Sequence, residues 1–399
     1  MTVLRRSVLV LLLAVSAVFT GPLSQAVPIN QWPMYHGGPD HLGVNYAEMG
    51  IGVANASKLK LVWKAPTGGN IVYSSPAVVG GVVYLGSSDG QLYAFRASDG
   101  KRLWTGPTGG GVVTSPAVGN GVVYIGSSDG KVYAFPAAGC GAPTCSPLWT
   151  GDTGDTIISS PTLAAGRIFI GSRSEDDAMF VFDAAGCGAP TCAPLAIAPA
   201  GETDSTPGYA NGVVYFSAYD AYVYAFPASC SGTCTPIWKF GTGAPIDSSP
   251  AITGGVVYVG SADFKLYAIN AATGLQKWQF STLATTNFSS PAVAYGKVYI
   301  GSWDGGMYAV NQATGKLAWR FSDATGFGFC SPAIANGVLF ADAYQDGAVY
   351  ALDAKTGKLL WAGKAGVNNS SSPVVAGGTL YISSGDGNLY AFRPKATLP

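Results

Sequence analysis

Two carboxylates stand where acids could act together. Asp204 and Asp247 each lie three residues before a proline, Pro207 and Pro250, that closes a Ser/Thr-containing triplet. The triplet recurs along the chain, so the two acids share one register of successive units and would face the same way. Neighbouring carboxylates can bind a cation or a basic ligand group. If they are buried with no metal between them, one should have a raised pKa. At the same register the other units read Tyr73, Val113, Ile158, Phe288, Phe329 and Ser370. Positions common to every unit hold the structure, while positions that vary can line a site. Tyr73, Phe288 and Phe329 would then form an aromatic wall beside the acids, with Ser370 in the same ring. The run Glu175-Asp176-Asp177 is a second cation candidate, against the plainer reading of exposed charge in a turn.

Other chemistry is sparse. His36 and His41 are the two histidines, both near the N-terminus, so a nucleophilic triad is hard to assemble; they read as polar residues at loop ends. There is no H-E-x-x-H and no phosphate-binding G-x-x-x-x-G-K. Six of the seven cysteines fall in local pairs: Cys140 with Cys145, Cys187 with Cys192, and Cys230 with Cys234. Such spacing reads as disulfides in an exported chain. The rival reading, zinc, needs four ligands brought together. These pairs occupy separate units with no histidine nearby. Cys330 is left over and stands where other units carry Ser or Thr, as a small buried residue would.

The positions of these residues follow from one repeated unit. The triplet proline recurs at Pro76, Pro116, Pro161, Pro207, Pro250, Pro291, Pro332 and Pro373. After each comes an apolar run such as Val256-Val257-Tyr258-Val259-Gly260. A turn follows, often Asp-Gly as at Asp89-Gly90, Asp129-Gly130 and Asp386-Gly387. A second apolar run and a second turn lead to Trp104, Trp149, Trp238, Trp278, Trp319 or Trp361. Asp-Gly between β-rich runs is a strong hairpin signal, because a type I′ turn needs φ > 0 at both central residues. Four short strands in ~40–45 residues describe a propeller blade. The expected fold is therefore all-β, an eight-bladed propeller of four-stranded blades over 59–399. The last copy ends before its Trp strand, and residues 59–63 form a Trp strand with no blade before it. The simplest closure makes 59–63 the outer strand of the last blade. The unit after Pro161 is degenerate, with Ala193-Pro194-Leu195-Ala196 at the Trp position. Residues 27–58 are apolar enough to pack on the ring.

Composition agrees. Lys plus Arg equals 22 and Asp plus Glu equals 22, so a basic nucleic-acid footprint is absent. Among the acids only Glu48, Glu175 and Glu202 are glutamates, and Asp suits turns. Residues 1–26 read as a cleavable signal peptide. Arg5 and Arg6 precede the apolar run Val8–Phe19, and Ser24-Gln25-Ala26 supplies small residues for cleavage. The run is too short to span a bilayer, so no membrane span is expected. A secreted or periplasmic monomer follows as the expectation.

The Trp repeat, as in Ala309-Val310-Asn311-Gln312-Ala313-Thr314-Gly315-Lys316-Leu317-Ala318-Trp319, resembles the PQQ-repeat propellers and their tryptophan-docking motif. Ala268 to Trp278 and Ala351 to Trp361 match equally well, and Trp32-Pro33-Met34-Tyr35 is similar to openings in such proteins. The resemblance spans about residues 32–393. It implies the propeller fold. For the family's dehydrogenases it also implies PQQ over the channel mouth, calcium or another metal, an Asp base, a Trp floor and a disulfide between adjacent cysteines. This chain has no adjacent cysteine pair, no C-x-x-C-H haem site and mostly hairpin-short loops. It resembles more the non-catalytic branch that includes the assembly lipoprotein BamB, though without a lipobox and with added cysteine loops. The expected function is a binding or scaffold module for a protein or small ligand, with no cofactor. The alternative is a PQQ- and calcium-dependent alcohol or sugar dehydrogenase. A glycan-binding role would suit the many aromatics, but most recur at structural positions.

Overall fold

The computed structural model describes residues 30–173, 179–322 and 326–395. These form eight sheets, each built on four antiparallel strands in chain order, and together they make the propeller. The fifth blade is representative, with inner strand Ala251–Thr253, then Val256–Gly260, Lys265–Asn270 and the outer strand Gln276–Ser281. The eighth blade is completed from the far end of the chain. Leu59–Pro66 pairs with Asn388–Pro394, placing Trp63 opposite Ala391, as the repeat predicts.

The two hydroxyls of the triplet have separate tasks. The first bonds within its own blade. Ser74, Ser159, Ser248 and Ser289 accept the N–H of Gly86, Gly171, Gly260 and Gly301. The second joins neighbouring blades around the channel. Ser75 N–H donates to Ser115 Oγ and Ser115 N–H to Ser160 Oγ. The series runs on through Thr206, Ser249, Ser290 and Ser331, and Ser372 N–H donates to Ser75 Oγ. The turn aspartates are also structural. In blade after blade the carboxylate accepts the hydroxyl of the Tyr four residues on, as in Asp89–Tyr93 at 2.6 Å and Asp386–Tyr390 at 2.6 Å.

Blades pack face to face, so their middle strands are buried on both sides. One core cluster joins Tyr258 and Leu266 of blade five to Val298, Ile300 and Tyr308 of blade six. Outer-strand tryptophans dock on the next blade. Trp278 Nε1 donates to Gln312 O at 3.0 Å, and its ring lies under Gly315. A Cβ at Gly315 would come within 2.8 Å of that ring, and the residue has φ +68. Glycine is therefore required twice over, by space and by backbone. The same Trp–Gly contact joins Trp63 to Gly100, Trp238 to Gly274 and Trp319 to Gly357.

The cysteine loops solve the same problem. All three local disulfides form as expected, Cys140–Cys145, Cys187–Cys192 and Cys230–Cys234. Two of these loops present Gly139 to Trp104 and Gly186 to Trp149. Thr191–Cys192 and Gly232–Thr233 also add short parallel strands to the outer strands of blades two and three. Blade three, with Ala196 opposite Val181 where other blades place Trp, uses a different donor. Arg167 Nη1 bonds Ala228 O at 3.0 Å and Cys230 O at 2.7 Å.

Residues 32–48 pass around one end of the channel and cap the inner strands. The N–H groups of Val78, Val118, Tyr209, Ile252, Val293 and Ile334 donate to carbonyls of Trp32, Pro33, Pro39, Asp40, Leu42 and Gly43. Glu48 Oε2 accepts Gly378 N–H at 3.0 Å. This segment satisfies the inner edges that a ring of blades would leave open. It also corrects the reading of His36 and His41 as polar loop ends: both are buried, at 2% and 0% exposure. Burial lowers their pKa values to about 4 and about 3, so both rings are neutral near pH 7.

Candidate functional site

The segment plugs one end of the channel, and a blind cavity of about 260 Å³ remains at the other. Its floor is the hydroxyl ring with Tyr35, whose phenol donates to Ser290 Oγ and lies 2.9 Å from Ser331 Oγ. Its wall is drawn from the ring three residues before the prolines. Asp204, Asp247, Tyr73, Phe288, Phe329 and Ser370 all line this one cavity. The Glu175-Asp176-Asp177 candidate lies outside the described residues.

The two carboxylates have unlike surroundings. Asp204 is held by Arg173 in a fork, Nε to Oδ1 at 2.9 Å and Nη2 to Oδ2 at 2.6 Å. Arg173 also approaches Glu202 Oε1 at 3.4 Å. Asp204 is therefore not a free carboxylate facing water, since this chain supplies its counter-ion. Asp247 is 9% exposed. Asn287 clamps it, accepting its N–H at 2.8 Å and donating Nδ2 to its Oδ2. Its Oδ1 has no hydrogen-bond partner. Burial, with the Asp204 charge adding to it, raises the Asp247 pKa to about 7 against the pull of Tyr219 and Asn287. Burial and the same two carboxylates push the Tyr219 phenol well above its ordinary value, so it stays a donor.

The aromatic side is a cluster centred on Phe329. Its ring lies 4.8 Å from Phe288, 4.9 Å from Trp303, 4.6 Å from Tyr344 and 6.0 Å from Tyr73, centroid to centroid. Gly328 makes room, since a Cβ there would sit 2.3 Å from the Trp303 ring. Tyr73 takes φ +60. A left-handed backbone is strained for a bulky side chain, and such strain gathers at functional sites. Ser370 Oγ accepts its N–H at 3.3 Å.

Cys330 does the work of the serine it replaces. Its Sγ accepts Asp342 N–H at 3.2 Å. Burial pushes its thiol up, and burial raises the Asp342 carboxyl to about 7.

Comparison with known proteins places the chain. The family model described as outer membrane protein assembly factor BamB, a PQQ-like repeat model, matches residues 51–140 and 288–397, half of the chain. The chain belongs to this family. No curated protein matches it. Among solved structures, BamB from Moraxella catarrhalis is 18% identical with a TM-score of 0.70, covering 86% of this chain and 99% of that one. A quinohemoprotein alcohol dehydrogenase from Pseudomonas putida HK5 is 16% identical with a TM-score of 0.76, covering 93% and 81%. A europium-containing methanol dehydrogenase is 14% identical with a TM-score of 0.76, covering 91% and 98%. At these identities the likeness is one of fold, and it embraces an assembly factor and dehydrogenases alike.

Within this PQQ-like propeller, sequence reading missed Arg173, Tyr219, Trp303 and Tyr344. All four stand two residues after the end of the second strand, where other blades carry Ser88, Ser128, Ala262 and Gly385. That switch from small to large is the signal that could have found them. Asn287 was missed as well, and the signal there is weak: the position reads Val72, Val112, Ile157 and Ile246 in four units but Thr203, Gly328 and Asn369 in three others.

Proposed function

We propose that this PQQ-like propeller is an exported, non-catalytic binding module and that the blind cavity holds a small ligand. One observation carries the reading: an aromatic half and an acidic half meet in a single cavity over a hydroxyl floor. Among the described lining residues none pairs a nucleophile with a base, as covalent catalysis needs. The serine hydroxyls of the floor accept backbone N–H groups of neighbouring blades, two of them also meet Tyr35, and the neutral histidines are buried. The local disulfides suit an oxidising compartment, periplasmic or extracellular. The match to an assembly-factor family supports a protein partner on the rims as the second form of the same reading.

The dehydrogenase alternative asks for other residues. Calcium takes ~6–8 oxygen ligands. Among the described residues no group of three or more His, Cys, Asp or Glu gathers to hold a metal. PQQ is a tricarboxylate, and Arg173, the cationic side chain lining the cavity, is already engaged by Asp204 and Glu202. The residues present do not fit that pair of groups.

The test is a calorimetric titration of the purified protein with PQQ in the presence of calcium, beside the Asp204→Ala/Asp247→Ala double variant. No heat above dilution is expected. Saturable micromolar binding that the double variant loses, with PQQ-dependent alcohol oxidation, would overturn the binding-module reading.

A further inference from the structure

We propose that the cavity takes a small organic cation, its ammonium group seated between the Asp247 carboxylate and the aromatic cluster centred on Phe329. This specification rests on the binding reading above. Three independent features point to it.

The first is charge. Asp204 and Asp247 line this cavity with one cation, Arg173, and that cation is turned to Asp204 and to Glu202. No described cation pairs with Asp247, so its charge is the one left for a ligand to match. Asp247 lines the cavity, and the side chains that bond its carboxylate, Asn287 and Tyr219, are both neutral. The second is the wall. Phe288 follows Asp247 in the next blade, and Phe329 follows Phe288, so the acid and the aromatic side chains adjoin around the cavity. Ring faces attract cations within ~6 Å, most strongly where water is excluded. An anion or a neutral apolar molecule would gain from only one half of this cavity. The third is size. The cavity of about 260 Å³ falls just below the ~300–1,000 Å³ common for ligand pockets, which suits a compact ammonium compound. The strained backbone of Tyr73 adds support, since it holds a phenol at the same mouth.

The experiment titrates the purified protein at about pH 8 with choline, with ethanolamine and with 3,3-dimethylbutan-1-ol, the uncharged isostere of choline. Saturable binding of either cation, and none of the alcohol, is the expected result. Preference for choline assigns the larger share to the aromatic faces; preference for ethanolamine assigns it to the carboxylate. Asp247→Asn should weaken the preferred cation by about tenfold or more, and Phe288→Leu by several-fold. Phe288 is partly exposed on the wall, so that variant keeps the test alive if Asp247→Asn folds poorly. Binding should also fall as pH drops through about 7, because the proton competes for Asp247. The groups facing Asp247 are Asp204, Arg173, Tyr219, Tyr73 and Asn287; Arg173 stays charged and both tyrosines stay neutral across that range. Equal binding of the alcohol overturns the cation while leaving the cavity a binding site. Silence from all three compounds overturns the cation outright. Saturable PQQ and calcium binding would remove the binding-module reading and the cation with it.

Discussion

The outer rim and the channel mouth of this propeller use the same repeat in opposite ways. At the rim, six blade junctions repeat one contact, an indole lying under a left-handed glycine. At the mouth, successive blades offer Tyr73, Val113, Ile158, Asp204, Asp247, Phe288, Phe329 and Ser370 at one position. The rim contact recurs because these blades meet their neighbours in the same geometry. Mouth side chains border a cavity instead of a fixed neighbouring blade, so they can diverge into an acidic half and an aromatic half. The junction between blades three and four sharpens the point. With no Trp to donate, Arg167 bonds Ala228 O and Cys230 O, so the backbone carbonyl is still satisfied.

That contrast can be broken first at the rim. Trp104 is 4% exposed and packs on Gly139. Trp104→Ala should cost about 3–5 kcal/mol in denaturant unfolding. A cost below about 1 kcal/mol would show that the docks are not what joins the blades.

The mouth should behave differently. Asp247 carries a raised pKa in the folded chain, so the folded state holds the extra proton between its unfolded value and about 7. Stability from this group is therefore lost as pH rises through that window. Asp247→Asn should raise stability by about 2 kcal/mol at pH 8 and change it little at pH 4. Melting curves across pH check this, and a variant that is destabilised at pH 8 would sink the idea of an uncompensated charge.

The smallest expected effect is at Tyr73. Asn tolerates the left-handed region, so Tyr73→Asn should gain up to about 1 kcal/mol while weakening cation binding. A loss on both counts would make Tyr73 a packing residue like those of the rim.

Much of this was legible in the residues themselves. Asp-Gly turns, the Ser-Ser-Pro triplets and the Trp spacing predict eight four-stranded blades, and Leu59–Pro66 closes the last of them as the spacing requires. Local cysteine spacing foretold the disulfides. The acids and aromatics at the mouth were visible as departures from a repeat. His36 and His41 were misread because nothing in their neighbours announces a channel for them to fill. Arg173 was passed over because its blade looks merely irregular, and its role appears only when Asp204, from the next blade, lies against it.

Sequence alone determined what is local and repeated: strand, turn, dock and disulfide, each set by residues close along the chain. It also determined which positions vary. Tertiary structure decided what those positions meet. Asp204 and Asp247 come from neighbouring blades, yet one receives an arginine and the other an asparagine. That difference in counter-charge, created by side chains distant in sequence, leaves one carboxylate matched and the other open to a ligand.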